Sequence, residues 1–207
     1  MSKRKASNDW RVALMATAAI FLNGCDTAAP PKPVDGPPAG AMASGPRPIP
    51  SPNMAAIAAA QGVAIEKLDG GAFKLADFRG KVVVLDFWAT YCPPCIRQMP
   101  QLADLSRRYQ DKGLTVIGLT SDPKSDRKQV VEFLKKARAD YLIGYDNEFL
   151  SEAFLKGTED ETGLPPIPQL FLISRDGRVV EHLIGDSPER GIEFLEKAVN
   201  QQLSQPK

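Results

Sequence analysis

Histidine is almost missing from this chain, with His182 the single example among 207 residues. Zinc sites draw mostly on four Cys and His ligands, and one histidine beside one close cysteine pair does not supply them. Charge of one sign is also lacking: 26 basic against 25 acidic side chains leave a net +1, with no basic block to argue for nucleic acid. No apolar run reaches the roughly 20 residues that a spanning helix needs. The Val12 to Leu22 stretch is the nearest approach and falls short. Zinc-ribbon, nucleic-acid-binding and multi-spanning classes are therefore disfavoured from the outset.

The N-terminus reads as an address. Lys3, Arg4, Lys5 and Arg11 form a basic region, Val12 to Leu22 a short apolar one, and Leu22-Asn23-Gly24-Cys25 closes it with small residues. This order resembles a bacterial lipoprotein signal, which implies cleavage before Cys25 and acylation of that cysteine. Ordinary secretion and an uncleaved anchor are the alternatives, and all three put the rest of the chain outside the cytoplasm. Asp26, directly after Cys25, resembles an inner-membrane retention signal. Residues 1–24 carry four basic and one acidic side chain, so their removal takes the chain from +1 to −2.

Residues 25–52 read as a tether. Nine of the 18 prolines fall between Pro30 and Pro52, among Gly, Ala and Ser. Such composition favours an extended chain of about 3 Å per residue. From residue 53 the pattern is that of one compact α/β domain of about 150 residues, large enough to build a core without disulfide staples. A short helix over 54–61 capped by Asn53 precedes a hairpin, with strands over 64–68 and 72–74 around Asp69-Gly70-Gly71. The unbroken apolar run Val82 to Phe87 predicts a strand buried on both faces. Helices follow at 93–110, 128–139, 148–155 and 188–203, and strands at 114–120, 141–145, 169–173 and 178–184. The last two strands form an antiparallel hairpin, so the central sheet is expected to be mixed and helix-covered.

Two cysteines, Cys92 and Cys95, stand where the central strand delivers the chain to a helix opening with Pro93 and Pro94. A CxxC loop is too short to restrain the unfolded chain much, so a purely structural disulfide is a poor account of it. A helix N-terminus carries partial positive charge and unpaired N–H groups, which favour a thiolate. The first thiol is expected to be exposed and nucleophilic, the second one turn deeper. Pro93 and Pro94 bring no N–H, which predicts only a modest lowering of the Cys92 pKa.

Three motifs in order carry a resemblance to a known family. They are Phe-x-Leu-x-Asp-x-x-Gly-Lys at 73–81, Phe-Trp-Ala-Thr-x-Cys-x-x-Cys at 87–95 and Pro-x-x-Phe-Leu-Ile at 168–173. Together they resemble the membrane-anchored TlpA/ResA/CcmG-type thiol–disulfide oxidoreductases, over about two-thirds of the chain from Val63. That resemblance implies the thioredoxin fold, an α/β class with a central mixed sheet flanked by helices, here with an N-terminal β-hairpin extension. It implies Cys92 as the attacking thiol, Cys95 as the resolving thiol, and Asp86 as the buried proton acceptor for Cys95. A solvent-facing Asp86 on an edge strand is the plainer alternative. Pro168 is the candidate cis-proline facing the disulfide, with Pro165 and Pro166 as rivals, and a cis bond there would offer the Ile167 backbone to an extended substrate.

Trp88, Tyr91, Pro93, Pro94 and Ile167 are candidate substrate-contact residues, with core packing the alternative for Trp88 and Tyr91. Pro100 resembles the family's helix-kinking proline. The chain departs from the family at Gln98, where glutamate is common, and in a longer, more acidic loop over 157–166. His182 is expected to be an ordinary sheet-surface residue.

The resemblance further implies a reductase of protein disulfides needing no metal or organic cofactor. Apocytochrome c haem-attachment thiols or copper-site cysteines would be substrates, and a transmembrane thiol-transfer protein the electron donor. Three alternatives stand beside it: a disulfide oxidase, a copper-binding lipoprotein using Cys92 and Cys95, and a peroxiredoxin. The last needs a Pro-x-x-x-Thr/Ser-x-x-Cys approach to its reactive cysteine, and no such proline precedes Cys92.

Overall fold

The computed structural model describes residues 53–185 and 190–206. The chain divides into two units, residues 1–45 and 46–207, and every described residue belongs to the second. The leader over 1–24, Cys25 and the tether over 25–52 lie outside the described residues.

Five strands form the central sheet in the order β5-β4-β3-β6-β7, where β3 is Val82–Trp88, β4 Leu114–Thr120, β5 Leu142–Tyr145, β6 Gln169–Ile173 and β7 Val179–Ile184. β3 runs parallel to β4 and antiparallel to β6, so the sheet is mixed as the sequence pattern predicted. All seven residues of β3 are buried. Its side chains alternate between two cores, as strand geometry requires. Val82, Val84 and Trp88 point into a cluster built with the helices α2 (Pro93–Tyr109), α3 (Arg127–Ala137) and α5 (Ile192–Leu203). Val83, Leu85 and Phe87 point the other way, to α1 (Met54–Ala60) and α4 (Glu148–Leu155). Phe87, Phe154 and Phe171 pack mutually there, with ring centroids 5.1 to 5.8 Å apart.

Local signals explain most boundaries. The Asn53 side chain caps α1 by accepting from the Ala56 N–H at 3.2 Å. Asn147 does the same for α4 at Leu150. Past α2 a single 3-10 turn ends at Gly113, whose φ of +98° suits glycine alone. Three elements depart from expectation by two residues or more. The N-terminal hairpin is shorter than predicted, with β1 Ile65–Glu66 and β2 Ala72–Phe73. Lys67 keeps its N–H on the Gly71 carbonyl while it also bridges to Gly144, and the Leu68 N–H donates to the Ile143 carbonyl, so the hairpin is joined to the main sheet beyond β5. α3 stops at Ala137 because Arg138 adopts the left-handed region. α5 begins at Ile192, later than the expected 188; residues 186–189 lie outside the described ones.

Close approach fixes one further position. A Cβ on Gly118 of β4 would stand 2.8 Å from Ile143 and 2.9 Å from Trp88 Nε1. Gly118→Ala should therefore overpack the α2 side and cost about 1–3 kcal/mol. Phe171→Ala on the opposite side should cost about 3–5 kcal/mol through the cavity it leaves. Urea unfolding of both variants checks these values.

Candidate functional site

β3 ends at Trp88, and four residues later Cys92 caps α2. Cys92 and Cys95 form a disulfide, with sulfurs 2.03 Å apart. Because Pro93 and Pro94 fill the first two helical positions, the Cys95 N–H is the nearest backbone donor, and it points at Cys92 Sγ from 3.2 Å. That donor and the helix dipole behind it are what α2 presents to the sulfur. Pro100 sits on the exposed side of α2 and withholds the hydrogen bond that the Ile96 carbonyl would otherwise accept.

Cys92 is less open than expected. It is 5 % exposed, against 2 % for Cys95. Its sulfur lies 3.5 Å from the Ile167 carbonyl oxygen, so the segment before β6 closes over it. The Ile167–Pro168 bond is cis, which selects Pro168 over Pro165 and Pro166. The exposed surface near the sulfurs comes from neighbours in sequence: Tyr91 is 70 % exposed, Pro93 is exposed, and Pro94 and Ile167 are half-buried. Trp88 is different. It is fully buried and stacked on Phe133, with ring centroids 5.9 Å apart, so it packs as core. Its inward position on β3, beneath α2 and α3, dictates this. Leu164 is a further exposed apolar side chain, and the sequence reading did not single it out. It is 67 % exposed on the loop leading to Ile167, and its one signal was a lone long aliphatic side chain in an otherwise polar loop.

Asp86 is buried at the centre of β3, opposite Gly118 on β4 and Leu170 on β6, which excludes the edge-strand alternative. Strand alternation puts it on the α2 side with Val84 and Trp88, where Cys95 also packs. Burial raises its pKa from 3.8 to about 8, and its Oδ1 has no hydrogen-bond partner among the described residues. A carboxyl group that changes charge near pH 8 is matched to taking a proton from a thiol. Gln98 is also buried, and its Oε1 is unpartnered among the described residues. It brings an uncharged amide where a family glutamate would bring a second acid.

His182 corrects the expectation of a surface residue. It is buried on β7, stacked on Phe171 at 4.1 Å between ring centroids, and its Nε2 lies 2.7 Å from Gln169 Oε1. Sequence pattern could not reveal this, because alternation along β7 does not say that Phe171 and Gln169 of β6 meet the ring. The Gln169 amide in turn donates to Thr158 Oγ1 at 2.8 Å and to the Pro166 carbonyl at 2.9 Å. Buried His182 thus reaches, through Gln169, both ends of the loop that places Ile167 and Pro168. Burial first, and then Arg190, pushes its pKa from 6.5 down to about 4.

Among the described residues there is no group of three or more His, Cys, Asp or Glu side chains that could hold a metal ion. The redox group is the chain's own cysteine pair.

Residues 52–202 match the Redoxin family. The chain belongs to that family. It is 35% identical over 136 residues to the thiol-disulfide oxidoreductase ResA of Bacillus cereus, covering 64% of this chain and 72% of the relative. A Chlorobium tepidum crystal structure assigned as the thiol:disulfide interchange protein DsbE is 30% identical, with a TM-score of 0.55, and the match covers 69% of this chain and 93% of that one. A second Chlorobium tepidum structure, a thioredoxin-family interchange protein, has a TM-score of 0.58 over 78% of this chain and all of its own, at 24% identity. The fold is the thioredoxin fold, of the TlpA/ResA/CcmG type, and the chemistry is thiol–disulfide exchange.

Two buried groups give stability a pH dependence of known sign. Asp86 has a raised folded pKa, so the folded state holds more protons between pH 4 and 8, and stability falls as pH rises through that window. His182 has a lowered folded pKa, so between pH 4 and 6.5 the unfolded state holds more protons and stability rises with pH. The two slopes oppose each other below pH 6.5, and Asp86 acts alone above it. Relative to Asp86→Asn, the wild type should lose stability at about 1.4 kcal/mol per pH unit up to pH 8. His182→Gln should convert a flat profile between pH 4 and 6.5 into a falling one. Urea midpoints across pH 4 to 9 test both signs.

Proposed function

We propose that this chain is an extracytoplasmic reductase of protein disulfides, working through the Cys92/Cys95 dithiol. The observation that carries the reading is the single site in which Cys92 caps α2, touches the Ile167 carbonyl before a cis-proline, and packs with Cys95 above the side of β3 that bears Asp86.

The Cys92 thiolate attacks one sulfur of a substrate disulfide, and the other substrate sulfur leaves as a thiolate. The Cys95 thiol then gives its proton to Asp86 and attacks Cys92 Sγ. That releases the second substrate thiolate and leaves the Cys92–Cys95 disulfide. Two electrons have passed to the substrate, and a dithiol donor restores the pair. Tyr91, Pro93, Pro94 and Ile167 offer the contact surface, and the Ile167 backbone accepts the substrate in extended form.

The relatives are a thiol-disulfide oxidoreductase and a thiol:disulfide interchange protein, which supports protein thiols as substrates. The three-motif resemblance supports, more finely, cytochrome c haem-attachment or copper-site cysteines and a transmembrane thiol-transfer donor. The basic, apolar and small residues ending at Cys25 support cleavage there and lipid attachment, and Asp26 supports retention at the inner membrane. The Pro-rich stretch 25–52 then serves as tether for a domain over 53–207 facing the periplasm. Among the described residues no helix is long and apolar enough to cross a membrane.

Cys92→Ser should abolish insulin-disulfide reduction, and Cys95→Ser should leave substrate covalently trapped on Cys92. Asp86→Asn should slow resolution of that mixed disulfide by about a hundredfold at pH 7. Equilibration with glutathione should place the pair nearer about −270 mV than about −120 mV, the limits spanned by reducing and oxidising dithiols of this fold. A potential at the upper limit would make it an oxidase.

A further inference from the structure

The chain between the end of β3 and Cys92 has left the sheet, so something other than ladder hydrogen bonds must hold it. Asp122, two residues beyond β4, is buried and fills that place. Its Oδ2 accepts from the Thr90 backbone N–H at 2.9 Å and from Thr120 Oγ1 at 2.6 Å. Its Oδ1 accepts from Thr90 Oγ1 at 2.6 Å. Its own N–H donates to Thr120 Oγ1 at 3.2 Å. A buried carboxylate is tolerated only when so bonded, and hydrogen bonds to a charged acceptor are among the stronger ones. Adjacent contacts run the same way, with the Ser121 N–H on the Trp88 carbonyl at 3.1 Å and the Cys92 N–H on the Ala89 carbonyl at 3.2 Å.

We propose that Asp122 is a positioning residue for the attacking thiol: by clamping Thr90 it holds Cys92 Sγ in line with the Cys95 N–H and against the Ile167 carbonyl. The proposal deepens the reading of Cys92 as nucleophile and rests on it. Its consequence is chemical as well as mechanical. When the clamp loosens, Cys92 Sγ drifts from its one backbone donor. The loss disfavours the thiolate.

The test uses the reduced full-length chain. The pH dependence of Cys92 alkylation by iodoacetamide is followed by mass spectrometry of the Cys92 peptide, so that Cys25 and Cys95 do not interfere. Thr90→Val keeps the side-chain shape and removes the hydroxyl, Thr90→Ser keeps the hydroxyl, and Thr120→Val loosens the carboxylate from its far side. Thr90→Val should raise the Cys92 thiol pKa and lower its thiolate fraction at pH 7 about three- to tenfold. Thr120→Val should act in the same direction, and Thr90→Ser should stay within about twofold of wild type. Should Thr90→Val not fold, Thr120→Val decides by the same criterion. The proposal is overturned if the valine variants lose stability in urea while Cys92 alkylates as in wild type, or if Thr90→Ser behaves like Thr90→Val. A wild-type chain that alkylates normally yet reduces no disulfide overturns the functional reading instead.

Discussion

Burial of β3 on both faces leaves its neighbours in the sheet as the only partners for its backbone, and β4 and β6 fix its register over nearly its whole length. A strand held in this way cannot slip by one residue without exchanging Val84 and Trp88 for Leu85 and Phe87 between two different cores. Its end at Trp88 is therefore a rigid reference point. The short turn to Cys92, the start of α2 and the approach of Ile167 from β6 are all measured from it. The redox pair is placed by the sheet even though neither cysteine belongs to a strand.

The same burial imposes the chemistry of Asp86. An ionised carboxylate in that position lacks solvation, so the group stays protonated until about pH 8. The burial that makes ionised Asp86 costly to the fold also makes its ionised fraction a stronger base than an ordinary carboxylate, which suits it to take a proton from a thiol. His182 shows the opposite case. Its ring is packed on Phe171 and bonded to Gln169, and burial keeps it neutral through ordinary pH. Its part lies in the polar chain through Gln169 to Thr158 and Pro166, which anchors the loop before the cis-proline.

Helix and strand positions were readable because their signals are local. Asn53 and Asn147 cap, Gly113 turns, and apolar runs mark β3 and β4 almost to the residue. Errors arose where a distant segment took part. The β1–β2 hairpin is joined to the main sheet because Lys67 and Leu68 find partners at Gly144 and Ile143, which no pattern near residue 67 announces. Trp88 stood as either contact residue or core and His182 as a surface residue, because adjacency to a motif or alternation on a strand does not say what covers a side chain.

The order of residues alone determined the CxxC pair, the prolines that open α2, the apolar strand behind them and the family to which they point, since each depends on neighbours a few positions apart. Only the tertiary structure decided which proline is cis, that Cys92 is covered by the Ile167 carbonyl, and that Asp122 reaches Thr90. The last two are contacts between residues 75 and 32 positions apart, and they exist only once the sheet has brought β4 and β6 to either side of β3.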